Sequence, residues 1–323
     1  MIHTITARNV NTAFADAWHY LRVSGVKENS RNGPVLVAPG PVVTTYLHPQ
    51  QRVLFNPQRD ANAVFHLMEA LWMLAGESDV QWLKQFSSNI ATYAEPDGHI
   101  HGAYGARWRN WFVDGEYDQL HVIIEMLRRD PTTRQAVLQM WDPGSDLEGD
   151  WRDRPCNTAV YFDGRGGRLN MTVTCRSNDI LWGCYGANAV HFSVLQEVVA
   201  HGADLPLGVY RQFSNNWHAY TGNPMVQQFL DMPPFEEHDY YRESTVALPL
   251  LQPGERYQDF LLDCENLVSS YSTMKTEFMQ RVALPLRDAY LARREGEAIN
   301  WRELPECDWT LAFCDWCNRR GTK

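Results

Sequence analysis

From Ala61 to Ala75 apolar residues recur at helical spacing, with Val64, Leu67, Met68, Leu71, Trp72 and Ala75 on one stripe. Asp60 stands ahead of this run as a capping residue and Gly76 behind it as a stop, which predicts one helix. Glu69 therefore falls inside an otherwise apolar helix. A second helical period spans Tyr117 to Arg129, closing on Arg128-Arg129 before Asp130-Pro131. Between Thr158 and Cys175 the period changes to two, interrupted by Asp163-Gly164-Arg165-Gly166-Gly167, the pattern of a hairpin. Helical period returns from Asn188 to His201, and Gly208–Phe213 within the stretch from Pro206 to Tyr220 reads as a strand. The aromatic tail from Asp308 to Cys317 takes no assignment. These elements predict an α+β fold with mostly antiparallel strands. No repeat, low-complexity tract or long linker divides the chain, so residues 1–323 are expected to form one domain.

The composition, 44% hydrophobic and 12% aromatic, allows a sizeable core. A formal net charge of −10 leaves no general basic field for a polyanion, so a small-molecule partner is expected rather than direct contact with nucleic acid or a membrane. No apolar run approaches the roughly 18 residues that span a bilayer, and the start does not read as a signal peptide; a cytoplasmic location is expected. Seven scattered cysteines suit reduced thiols. Cys314 and Cys317 with Cys307 nearby lack a fourth ligand at finger-like spacing, and the neighbouring tryptophans favour packing over metal. Dinucleotide, nucleotide-triphosphate, zinc-protease and α/β-hydrolase motifs are missing.

The informative blocks are Arg154-Pro155-Cys156-Asn157, then Cys175-Arg176-Ser177-Asn178-Asp179 running on to Gly183, and Asn215-Asn216-Trp217-His218-Ala219-Tyr220. Glu69 to Gly76, Tyr104-Gly105-Ala106-Arg107-Trp108 and Asp130-Pro131-Thr132-Thr133-Arg134 precede them in order. Together they resemble the thymidylate synthase family, including its branch of pyrimidine nucleotide hydroxymethylases, which is common in bacteriophages. The resemblance implies an α+β fold whose large, mostly antiparallel sheet packs back to back in a homodimer with shared active sites. It also implies one-carbon transfer from 5,10-methylenetetrahydrofolate to C5 of a pyrimidine nucleoside monophosphate, without a metal.

Within that resemblance Cys156 matches the nucleophile that attacks C6, a role needing a thiolate from a group that ordinarily ionises near pH ~8.5. Arg176 is the neighbouring cation that would lower that value. Arg176 and Ser177 match the phosphate clamp, and Arg134 matches an arginine reaching the partner subunit's phosphate, although Gln135 stands where a second arginine is usual. Arg31 either completes the clamp or is a solvated loop arginine. Glu69 matches a carboxylate that organises water and proton transfer, a role that suits an acid costly to bury. Tyr104 matches a tyrosine that helps remove the C5 proton. Asp179 matches the folate-binding aspartate, with Trp72 a second contact for that cosubstrate; His218 and Tyr220 match the pair on the sugar 3′-hydroxyl.

Counting eleven residues from Arg176 reaches Ala187, which carries no polar group; one inserted residue near Cys184-Tyr185-Gly186 brings Asn188 to the base instead. An amide there suits uracil, whereas an aspartate would suit cytosine. Asn188 and uracil are preferred, with dCMP or CMP open. Asn157 in place of the histidine that usually follows a synthase nucleophile, and a tail without a short apolar closing segment, point to hydroxymethylation; a methyl product with hydride transfer is the alternative. A catalytically dead nucleotide-binding or RNA-binding relative, or a purely partner-binding protein, would need no Cys156.

Overall fold

The computed structural model describes residues 1–115, 117–235, 238–243, 245–271 and 273–321. Eight strands make one sheet: β1 (His3–Ala7), β2 (Val26–Ser30), β3 (Gly33–Val37), β4 (Val42–Tyr46), β5 (Val137–Gln139), β6 (Asn157–Asp163), β7 (Leu169–Asp179) and β8 (Leu207–Tyr220). Their main order is β1-β4-β8-β7-β6-β5, with the β2–β3 hairpin joined to the far end of β8. The helices are α1 (Val10–Ser24), α2 (Ala63–Leu74), α3 (Tyr104–Arg109), α4 (Gln119–Arg129), α5 (Pro143–Asp146), α6 (Asn188–Gly202), α7 (Pro224–Asp231), α8 (Tyr257–Val268), α9 (Leu284–Glu295) and α10 (Asp308–Arg319).

The fold is mixed α+β, and its sheet is not antiparallel throughout. The two longest strands, β7 and β8, run parallel, as do β1 and β4, while the remaining pairs are antiparallel. Parallel neighbours need a crossover, and α6 supplies it. Strand β8 also extends past Phe213 to Tyr220, which lines up Ser177 with Asn216 and Asp179 with His218 across the β7–β8 ladder. Thus the ends of β7 and β8 lie side by side, next to the start of β6.

The predicted helices form: α6 starts at Asn188 as expected, and α2 and α4 start two residues late. Helix α2 begins at Ala63 because Asn62, not Asp60, caps it by accepting from Phe65 N at 3.0 Å. Asp60 instead has a left-handed backbone, with φ of 49°, and pairs with Arg319 and Arg320. Helix α4 begins at Gln119 behind Asp118, which accepts from His121 N. The tail is helical: Trp309, Ala312, Phe313 and Cys317 line the buried face of α10. All seven cysteines are free thiols.

An eight-residue π-helix from Ile180 to Ala187 joins β7 to α6. A π turn holds one more residue than an α turn and is how a helix absorbs a single insertion. The π-helix covers the stretch in which one inserted residue ahead of Asn188 is expected, and Asn188 is the first residue of α6. Helices α2 and α6 are buried nearly all round and pack against each other over the sheet.

Glu197 on α6 pairs with Arg52, and both side chains are under a tenth exposed. Glu197 also accepts from Leu250 N at 2.8 Å. Glu197→Ala removes the carboxylate partner of a buried guanidinium and the acceptor of a buried amide, and is expected to cost about 3–5 kcal/mol of stability in urea unfolding. A loss below about 1 kcal/mol, the scale of an exposed pair, would contradict this view of the core.

Candidate active site

Cys156 stands immediately before β6, half-buried, and its carbonyl accepts from Arg176 N at 2.8 Å. The Arg176 side chain folds over this turn, donating from Nε to the Pro155 carbonyl (2.9 Å) and from an Nη to the Arg154 carbonyl (3.2 Å). Its guanidinium lies 5.6 Å from the Trp141 ring centre. Arg176 does pull the Cys156 thiol downward, but burial outweighs it and Asp153 adds to the upward push, so the group sits above its usual value. The expected lowering by the arginine is therefore overridden.

The position of Cys156 is fixed by Tyr104 and a line of amides. The Tyr104 hydroxyl oxygen, on α3, accepts from Cys156 N (3.2 Å), Asn157 N (3.1 Å) and Asn157 Nδ2 (2.9 Å). Asn157 Nδ2 also donates to Asn188 Oδ1, and Asn188 Nδ2 donates to Asn178 Oδ1, each at 3.2 Å. Asn178 Nδ2 in turn donates to Ser214 Oγ at 2.9 Å. An amide has two donors and two lone pairs, so Asn188 keeps one donor and one acceptor beyond these bonds. Burial pushes the Tyr104 hydroxyl well above its ordinary value, which keeps it a neutral phenol.

Acidic groups gather beside this line. Glu69 on α2 is buried, and its Oε2 lies 2.9 Å from Nε2 of His191 on α6. Asp179 caps the π-helix by accepting from Trp182 N at 2.7 Å, and its other oxygen is buried and unpaired. Burial pushes the Asp179 carboxyl up to about 6 despite those backbone donors and Arg59. Arg59 donates to the Leu181 carbonyl at 2.6 Å and lies 4.4 Å from the ring centre of the half-exposed Trp182. Burial also pushes Asp153 up to about 6 against the pull of Arg176. A Cβ at residue 102 would collide with the Asp153 carboxylate, so Gly102 makes room for it. Burial first, then the charges of Asp153, Glu69, Asp179 and Cys156, raise the Tyr93 hydroxyl, which marks the place they share.

His218 and Tyr220 meet edge to face, ring centres 5.0 Å apart, and Asn216 Oδ1 lies 2.7 Å from His218 Nδ1. Ser177 is half-buried, next to Asn216 in the ladder. The structure thus brings Cys156, Arg176, Ser177, Asn188, Tyr104, Glu69, Asp179, His218 and Tyr220 to one end of the sheet. Arg134 and Arg31 are exposed outliers, Arg31 in the turn of the β2–β3 hairpin and Arg134 ahead of β5. Trp72 is buried in the core with its indole N–H on the Asp79 carbonyl. His191, Asp153 and Tyr93 were not among the residues marked in the sequence. Only the closeness of Asp153 to Cys156 in the chain could have flagged one of them. Among the described residues no three His, Cys, Asp or Glu side chains form a metal-binding group, and no helix is long and apolar enough to cross a membrane.

Comparison with known proteins shows the chain's relatives. Residues 24–240 match the family model described as thymidylate synthase, whose members use methylenetetrahydrofolate as cosubstrate. A relative from Pseudomonas phage M6, named deoxyuridylate hydroxymethyltransferase, is 39% identical over 340 residues, 98% of this chain and 94% of the relative. Another of that name, from Bacillus phage SP01, is 36% identical over 188 residues, 56% of this chain and 49% of the relative. A protein named thymidylate synthase from Haloferax volcanii is 28% identical over 181 residues, half of this chain and 52% of that relative. With the nucleophile turn, the amide line and the paired strand ends all inside the matched span, the chain belongs to the thymidylate synthase family.

Proposed function

We infer that this chain is a deoxyuridylate hydroxymethyltransferase: it moves a one-carbon unit from 5,10-methylenetetrahydrofolate to C5 of dUMP and adds water, giving 5-hydroxymethyl-dUMP. The observation that carries the choice of base is the Asn157–Asn188–Asn178 line. It leaves Asn188 one donor for uracil O4 and one acceptor for N3–H, and cytosine presents the reverse pattern. The names of the two phage relatives support the same reaction.

In this reading Cys156 attacks C6, which makes C5 nucleophilic enough to take the one-carbon unit. Tyr104, held neutral, helps to pass on the C5 proton, and Glu69 organises water and proton transfer. Arg176 and Ser177 hold the phosphate and His218 with Tyr220 the sugar hydroxyl. Asp179, whose buried free oxygen can accept from an N–H-rich pterin, faces the cosubstrate. Trp72, packed in the core, can act there only through the shape of α2. Arg134, exposed ahead of β5, would complete the phosphate site of a second subunit, and Arg31 would close the same clamp from its hairpin. That requires a homodimer formed on the open face of the sheet, within one 323-residue domain and without a metal.

Cys156→Ser is expected to abolish turnover while dUMP binding stays within a few-fold, because covalent activation and not packing is lost. Mixed dimers of Cys156→Ser and Arg134→Ala chains should regain one intact site per dimer. Turnover near wild type for the serine variant, or mixed dimers no better than either parent, would contradict the shared covalent site.

Asn188→Asp faces O4 with a second acceptor. Its kcat/KM ratio for dUMP over dCMP is expected to fall by an amount equivalent to about 2–5 kcal/mol. An unchanged ratio in steady-state assays would remove Asn188 from base selection.

A further inference from the structure

His191 is a polar side chain on a helix otherwise buried among Val190, Phe192, Val194 and Leu195, and it is only 3% exposed. Its Nε2 lies 2.9 Å from Glu69 Oε2, yet neither ring nitrogen has an aligned hydrogen-bond partner in the protein. Buried polar atoms without a partner are costly, and one imidazole with two of them beside a carboxylate is a ready seat for a small polar molecule. Asn188 and His191 stand three residues apart on α6 and share a face. In uracil O4 is attached to C4, the neighbour of C5. If Asn188 holds O4, the next turn of α6 lies beside whatever C5 carries, with Glu69 opposite.

We propose that His191 is the positioning residue of the hydration step: with Glu69 it seats the water that adds to the C5 methylene and takes up its proton. The inference rests on the hydroxymethylation reading above. Before this step the base is bound to Cys156 at C6 and carries an exocyclic C5=CH₂ conjugated to the C4 carbonyl. The water oxygen bonds to the methylene carbon, the C=C pair moves toward O4 as an enolate, and the water proton passes to the Glu69–His191 pair. Collapse of the enolate restores the C5=C6 double bond and expels the Cys156 thiolate. No oxidant or reductant is needed, and the folate leaves as tetrahydrofolate. His66 on α2 and Arg59 before it also face this pair, and burial, Arg59 and His191 together hold His66 well below its ordinary value.

The test separates the two halves of the reaction. Release of tritium from C5-tritiated dUMP reports one-carbon transfer; hydroxymethyl-dUMP reports hydration; 2-mercaptoethanol intercepts the methylene as a thioether. His191→Asn should release tritium within about 3-fold of wild type and form hydroxymethyl-dUMP at least about 100-fold more slowly, with the thioether as main product, the scale of losing proton transfer. Equal loss of both steps, or hydration as fast as wild type, would overturn the inference. His191→Gln, closer in volume, repeats the test if the asparagine variant does not bind dUMP. Loss of dUMP binding in both would make His191 structural and overturn it as well. Wild-type enzyme yielding thymidylate and dihydrofolate would instead refute the hydroxymethylation reading itself.

Discussion

The Asn157 amide nitrogen divides its two protons between Tyr104 and Asn188, and the cleft depends on both bonds. One ties the nucleophile turn to α3; the other ties it to the first residue of α6, the helix that crosses from β7 to β8. Through Asn178 and Ser214 the same line reaches the middle of the sheet. Moving any one of these elements would shift Cys156 relative to Asn188. Hydrogen bonds of this kind contribute only about 1 kcal/mol each to stability, and their larger effect is geometric.

Burial sets the chemistry within that frame. It holds the Cys156 thiol up even beside Arg176, and it holds Asp153 and Asp179 near 6, far above an exposed carboxyl. Asn157 Oδ1, Asp179 Oδ2 and His191 Nδ1 are buried without a hydrogen-bond partner, and His191 Nε2 faces Glu69 Oε2 at 2.9 Å. An unpaired buried polar atom costs about 1–3 kcal/mol. Atoms of this kind close to Cys156 and Asn188 suit a site that takes polar substrates and a reacting water.

Much of this was legible in the sequence where the signal is local. The period of α2 placed Glu69 inside an apolar helix, and the count from Arg176 pointed to the stretch before Asn188, where the chain forms a π-helix. The parallel pairing of β7 and β8 did not follow from alternation within a strand; it follows from the helix read between them, which is long enough to serve as a crossover. His191 gave no signal either: among the apolar residues of α6 it looks like a packed core histidine until Glu69 arrives from another helix. The start of α2 shifted because Asp60 and Asn62 are both good caps, and Asp60 is drawn off by Arg319 and Arg320.

In this account the cleft finishes its one-carbon transfer with water rather than hydride. The direct measurement is mass spectrometry of the nucleotide formed from dUMP and methylenetetrahydrofolate in water enriched in the heavy oxygen isotope. The expected result is hydroxymethyl-dUMP carrying the heavy oxygen, with tetrahydrofolate released. Thymidylate without the label, accompanied by dihydrofolate, would contradict it.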